Sequence, residues 1–418
     1  MALERPTSPP PTPRAVLADF GATYAANGLV AFIFAVTGPV AIILAVGARG
    51  GLTEADLASW IFGAFFVNSL VSIAYCWLYR QPLVFFWTIP GAVLVGPALT
   101  HLTFAEVIGA YLVCGALMLA LALMGWVRRC MDAVPLPIVM GMVAGVFLRF
   151  GLDLVHAIRD DFWIAAPMTA VFLGLSALPR LARYLPPLVL ALAAGAVMMA
   201  VLGRFDAGAA TTLGIARPNF YAPVFSWPAL LELVVPLVIT VLAVQNGQGI
   251  AILRARGHEP PVNSIAAACG VGALVVGFVG CVPTCLTGPV NALVSGSGEK
   301  RRQYTAGILV AVLALLFGLF APVVTHLLLA TPPAFIAALG GLAMLSVLQT
   351  AFTVSFQGRY ALGAMVAFVV TVADVPIFNV GAAFWGLVFG FAISWLLERK
   401  QRDKADRKEG GGRGKAEG

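Results

Sequence analysis

Of the 418 residues, 60% are hydrophobic and only 11% are charged, and the mean hydropathy is +0.94. A soluble domain carries about 25% charged residues, so this composition excludes a large water-soluble α/β protein, and many apolar runs reach the roughly 20 residues that a bilayer requires. The net charge of +7 does not point to nucleic acid, because eight of the 26 lysines and arginines lie in a Gly-rich tail after Leu397 and no basic stripe interleaved with aromatics exists elsewhere.

Residues 1–20 read as a Pro-rich cytoplasmic tail without a cleavable signal peptide. Apolar windows between turn and charge signals then predict spans at roughly 24–46, 56–77, 82–99, 104–126, 134–152, 162–178 and 186–202. A loop over 206–228 follows, and a second set falls at roughly 229–253, 263–279, 282–296, 304–329, 333–356, 360–374 and 381–397. Residues 398–418 read as a disordered cytoplasmic tail. The expectation is an all-α polytopic membrane protein with 14 spans. The six cysteines lie in or beside apolar stretches, with no secreted disulfide pattern and no His or carboxylate cluster that would make a metal site. No cofactor is expected.

With both termini cytoplasmic, all of the 26 basic residues except Arg49, Arg149, Arg159, Arg204 and Arg217 fall inside, as positive-inside sorting requires. Seven spans per half give the second half the opposite topology, a plan common among transporters. Two local matches support such a repeat. Thr37-Gly38-Pro39 and the residues after it align with Asn246-Gly247-Gln248, and Thr88-Ile89-Pro90-Gly91 aligns with Thr287-Gly288-Pro289-Val290.

The third and tenth segments carry the chemistry. In each, a short extended stretch is followed by Thr and an early Pro, the residues that suit a helix cap and first turn. Both half-helices are expected to start inside the membrane, where their unpaired N–H groups would attract an anion. Thr37-Gly38-Pro39 predicts a break or kink in the first span, and Gln245, Asn246 and Gln248 form the densest polar run inside an apolar helix. The expected substrate-binding set is Thr37, Gly38, Thr88, Ile89, Gly91, Gln245, Asn246, Gln248, Thr287, Gly288 and Asn291. Phe34, Phe86 and Gln349 are candidates for the pocket wall, and Glu232 and Asp374 for proton coupling. No paired catalytic set stands at membrane depth, so an enzyme is not expected.

From about Phe20 to Leu397 the chain resembles the benzoate/proton symporters of the BenE type. The resemblance is clearest at Gln245-Asn246-Gly247-Gln248-Gly249-Ile250, at Pro283-Thr284 to Thr287-Gly288-Pro289, and at Phe378-Asn379-Val380-Gly381-Ala382-Ala383-Phe384-Trp385. It implies a distant likeness to nucleobase and sulfate permeases with a 7+7 inverted repeat. Their core domain would here be 21–130 with 229–330, and their gate domain 131–205 with 331–397. It further implies a transporter in a bacterial inner membrane that carries a small aromatic carboxylate with protons, and the related permeases suggest a homodimer. Nucleobase permeases of this kind place acidic residues in spans 8 and 10, where this chain has Gln245, Asn246, Gln248 and Asn291. A nucleobase or inorganic-anion permease, or a passive anion channel, are the alternative readings.

Overall fold

Local chemistry sets many of the helix limits in the computed structural model, which describes residues 3–178, 186–204, 214–378 and 380–398. The tail beyond 398, Arg180, Arg183, Asn379 and part of the 206–228 loop lie outside those residues. After α1 (Ala22–Arg49), Thr53 opens α2 (Glu54–Tyr79) with a capping box. Its hydroxyl accepts from the Asp56 N–H, and the Asp56 carboxylate accepts from the Thr53 N–H at 2.9 Å. Two donors that a helix start leaves unpaired are thereby satisfied. Next come β1 (Phe85–Trp87), α3 (Ile89–Ala98) and α4 (Phe104–Met124), where Thr103 and Glu106 repeat the box and Gly125, at φ 72°, ends the helix in the left-handed region.

The chain continues through α5 (Leu136–Asp160), α6 (Phe162–Ser176), α7 (Pro187–Val201), α8 (Trp227–Ala255), α9 (Val262–Gly277), β2 (Thr284–Leu286) and α10 (Gly288–Val294). It ends with α11 (Lys300–Leu319), α12 (Pro333–Phe356), α13 (Ala361–Ala373) and α14 (Ala382–Glu398). Among the described residues, seven helices are long and apolar enough to cross a membrane: α1, α2, α4, α5, α8, α11 and α12. Helices α3, α6, α7, α9, α13 and α14 are apolar but shorter.

Two expectations need correction. Of the break or kink predicted at Thr37-Gly38-Pro39, a break is absent: α1 runs unbroken through it with Pro39 inside. Proline removes a single backbone bond, and the Thr37 hydroxyl is engaged with the Ile33 carbonyl at 2.9 Å within the same helix. The window 304–329 is not one helix: α11 stops at Leu319 and a second helix, Ala321–Leu329, begins with proline in its first turn. Pro322 has no N–H to continue the α11 ladder, so the chain restarts there.

Packing falls into two sets of helices. Helix α5 lies along α12 and α13, α13 on α14, and α6 on α7. In the other set α4 packs on α9, α11 on α1 and α2, and α10 against α1 and α8. The sets meet closely where α1 crosses α12: a Cβ added at Gly38 would lie 2.4 Å from the Ala343 Cβ. Gly38 therefore serves helix approach.

Strands β1 and β2 pair antiparallel, with Phe85 opposite Leu286 and Trp87 opposite Thr284. A two-stranded ribbon buried among apolar helices is tolerable only if its outer edges find partners, and polar side chains supply them. Ser72 Oγ accepts from the Phe85 N–H at 2.8 Å, and Asn246 Oδ1 accepts from the Leu286 N–H at 2.8 Å. Asn291 Oδ1 accepts from the Val84 N–H at 3.0 Å, while its amide nitrogen donates to the Val84 carbonyl at 3.0 Å and to the Thr287 carbonyl at 2.6 Å.

Candidate functional site

Where the ribbon meets the starts of α3 and α10, the two sets of helices enclose a cavity of about 560 Å³. Five aromatic rings face it, Phe34, Phe65, Phe86, Trp87 and Phe147, along with the polar side chains of Gln245, Gln248, Thr287, Ser346 and Thr350. None of the described residues lining it is an Asp, Glu, Lys, Arg or His. The volume is in the range of small-molecule sites and exceeds what a single aromatic ring with a carboxylate needs.

Helix α8 brings its amides here by a local irregularity. Residues Thr240–Asn246 form a π-helical stretch before α-geometry resumes at Gly247, a feature frequent at functional sites. Gln245 and Gln248, three apart, both reach the cavity. Among the described residues, neither amide has a protein hydrogen-bond partner. Asn246 points the other way, to β2 and to Cys269 Sγ at 3.4 Å.

The helix starts are only partly self-satisfied. The Thr88 hydroxyl takes the Gly91 N–H at 3.2 Å, and Pro90 and Pro289 have none. Backbone bonds to Thr88 and Thr287 begin at Ala92 and Asn291. The N–H groups of Ile89, Gly288 and Val290 are thus left without a helical acceptor.

Of the residues expected to bind substrate, Ile89, Gln245, Gln248 and Thr287 line the cavity, as do Phe34 and Phe86 of the expected wall. Gly288 sits directly behind Gln248: an added Cβ would lie 2.4 Å from Gln248 Oε1. Thr37, Gly38, Thr88, Gly91, Asn246 and Asn291 do not line it; they cap, pack or brace the elements that do. Gln349 is likewise not on the lining, although Ser346, Val347, Thr350 and Val354 of the same helix are.

The family model described as BenE, benzoate membrane transport protein, matches residues 18–396. The chain belongs to the BenE family. It is a membrane transporter of that family and not an enzyme. The inner membrane protein YdcO of Escherichia coli K12 is 29% identical over 371 residues, which cover 87% of this chain and 93% of that protein. A benzoate membrane transport protein of Acinetobacter baylyi is 25% identical over 386 residues, covering 91% and 96%. In fold, this BenE-family chain is similar to the transmembrane domain of the cyanobacterial bicarbonate transporter BicA, with a TM-score of 0.59, 16% identity and coverage of 91% of this chain and 99% of that one. It is also similar to murine Slc26a9, an anion transporter described in its inward-facing state, with a TM-score of 0.61, 13% identity and coverage of 95% and 74%.

Several lining residues of this BenE-family site were not singled out from sequence. Met140, Phe147 and Ser346 sit in regular α-helix and Phe65 in a π-helical stretch of α2, and the meeting of α2, α5 and α12 at the ribbon is what brings them together. The two acidic candidates lie elsewhere. Glu232 is near the start of α8 and bonds His101, whereas Asp374, just after α13, pairs with Arg149.

Proposed function

We propose that the chain imports benzoate or a similar small aromatic carboxylate together with protons across a bacterial inner membrane. The observation that carries this reading is the combination, in one cavity, of five aromatic rings and, among the described residues, unpartnered amides and no charged side chain. Phe86 and Phe65, with ring centroids 5.5 Å apart, form part of a wall against which a substrate ring packs, each such contact being worth about 0.5–1.5 kcal/mol. The carboxylate is held by the N–H groups of Ile89 and Val290 and the amides of Gln245 and Gln248, and the Thr287 hydroxyl joins them by turning from the Val84 carbonyl, 3.4 Å away. Donors without full charge each give the carboxylate one charge-assisted hydrogen bond, worth about 1.5–3 kcal/mol, without the added attraction of an ion pair. That suits a site that must also release its cargo.

The same reading takes the chain through the membrane fourteen times, both termini cytoplasmic, with α3 and α10 as half-helices behind β1 and β2. The set containing α1–α4 and α8–α11 is the core, and the set containing α5–α7 and α12–α14 is the gate. The cavity is lined by the first half of α5 and the second halves of α8 and α12, so in this orientation it opens toward the cytoplasm.

The test is uptake of labelled benzoate by proteoliposomes under an imposed pH gradient, corrected for empty liposomes. Unlabelled benzoate is expected to compete, while uracil, sulfate and bicarbonate leave uptake unchanged. Competition by sulfate or uracil with none by benzoate would assign the cavity to a different cargo.

A further inference from the structure

At the opposite end of α8 from the cavity, a carboxylate joins the two sets of helices. Glu232 is 5% exposed, and its Oε2 lies 2.8 Å from His101 Nε2, just after α3. Its other oxygen faces Gly381, the residue that opens α14: a Cβ added there would stand 2.2 Å from Glu232 Oε1. One acidic side chain thus holds a residue of the α3 segment on one side and the start of α14 on the other. The partial positive charge of a helix start favours the ionised form.

We propose that Glu232, held between His101 and the α14 start, is the binding site for the co-transported proton, and that its protonation releases α14 from α8. The inference rests on the proton-coupled reading above and adds the residue and the way it acts. In the resting pair the His101 Nε2–H donates to Oε2. An incoming proton bonds to Oε1, so the carboxyl becomes neutral and its charge no longer holds the positive start of α14 at Gly381. The contact across the interface is lost, and the same proton leaves when the carboxyl is next exposed on the other side.

Access fits this role. A space of about 30 Å³, the share of one water in the liquid, is lined by Glu232, Arg49, Arg149, Asp374 and Gly381. Arg49 and Arg149 also line an open depression of about 420 Å³ together with Thr100, Asp153 and His156. The two guanidinium groups of Arg49 and Arg149 thus stand between the depression and the space beside Glu232. The charged and titratable groups facing the site from each neighbouring element are Arg49 on α1, His101 after α3, Glu106 on α4, Arg149, Asp153 and His156 on α5, and Asp374 after α13. Arg49 is paired with Asp153, and Arg149 with Asp374. Glu106 is held in its own capping box. Glu232 is the one of these carboxylates that contacts both a core and a gate element through its own oxygens.

The experiment compares two readouts in proteoliposomes for the wild type, Glu232→Gln and Glu232→Asp. One is accumulation of labelled benzoate driven by a gradient of one pH unit, which can reach about tenfold for one proton per substrate. The other is benzoate exchange at equal pH, which needs no net proton movement. Glu232→Gln is expected to keep exchange within about twofold of wild type while accumulation falls to the level without a gradient, and Glu232→Asp recovers part of the accumulation. Undiminished accumulation by Glu232→Gln overturns the proposal. So does loss of exchange in both variants at wild-type folding, because that outcome marks a structural carboxylate. A wild type that exchanges no benzoate but accumulates another anion with the gradient would overturn the substrate reading alone, and the same two readouts are then taken with that anion.

Discussion

At the Gln248 end of α8 the described residues of the cavity wall carry no charge, whereas sixteen residues earlier Glu232 shares a space of about 30 Å³ with Arg49, Arg149 and Asp374. The two places are about 24 Å apart along the helix at 1.5 Å per residue. Two unit charges at that distance interact by only about 0.7 kcal/mol at an effective dielectric of 20. A proton at one end therefore cannot hold or expel an anion at the other by direct attraction. Coupling has to run through the relative position of the two sets of helices, and the charged end is where ionised groups bridge them. The uncharged end is left free to bind and let go.

The comparison also separates two kinds of amide near the cavity. Asn291 is fully buried and braces β1 and α10 through three bonds. Asn291→Ala should give the largest effect, since the Val84 N–H is left buried without an acceptor and the Thr287 carbonyl loses a donor. Unsatisfied groups of this kind cost about 1–3 kcal/mol each. The expected result is a clearly lowered melting temperature in detergent and poor recovery of folded protein. Full stability with selective loss of benzoate binding would move Asn291 back among the substrate ligands.

Gln248→Ala is the counterpart. The side chain is exposed to the cavity and braces nothing, so the fold should be unchanged and benzoate uptake should fall by about tenfold, the equivalent of one hydrogen bond of about 1.4 kcal/mol. If Gln248→Ala melts as badly as Asn291→Ala, the division between bracing and binding amides is wrong.

At the charged end the arginine pairs call for a smaller effect. The Arg49 and Asp153 side chains, which link α1 to α5 across the two sets, are 40% and 31% exposed, and pairs so open to water are worth about 0–1 kcal/mol. Arg49→Gln should shift the balance between cavity-open and cavity-closed forms by less than about fivefold. An impermeant thiol reagent on Thr350→Cys, in a background without Cys130, would measure the shift as a change in labelling rate. No change at all would leave Glu232 as the sole latch at that interface.

The extent to which sequence revealed this arrangement follows from the range of the interactions involved. Windows such as 56–77 and 104–126 fall on α2 and α4 because capping boxes and apolar length are local properties. The Thr-x-Pro starts of α3 and α10 are equally local. Which amide faces the cavity is not, because Asn246 is turned to the Leu286 N–H, forty residues away, and Asn291 to Val84, 207 residues away. The break after Leu319 was missed because α11 and the helix after it are both apolar and only Pro322 separates their ladders. Glu232 stood out as an acid near a span end, but its partners His101 and Gly381 lie 131 and 149 residues away.

The smallest expected effect comes from outside both ends, in the turn between α8 and α9. His258 is 4% exposed, and burial pushes its pKa below the usual histidine value. Gln303 donates its amide hydrogens to the Ser295 and Ser297 carbonyls, each at 3.2 Å, which leaves Gln303 Oε1 to accept from His258 Nε2–H at 2.7 Å. The fold therefore holds the neutral ring, and nearby Lys300 adds to the cost of charging it. The unfolded chain binds a proton near pH 6.5 while the folded chain still resists it. The stabilisation is accordingly complete above that pH and declines as the pH falls toward the lowered folded value. Melting temperature should drop between pH 7.5 and pH 5.5, and His258→Gln should flatten that dependence without altering exchange of benzoate at neutral pH. A variant that keeps the full pH dependence would place its origin among the ionised groups around Glu232 instead.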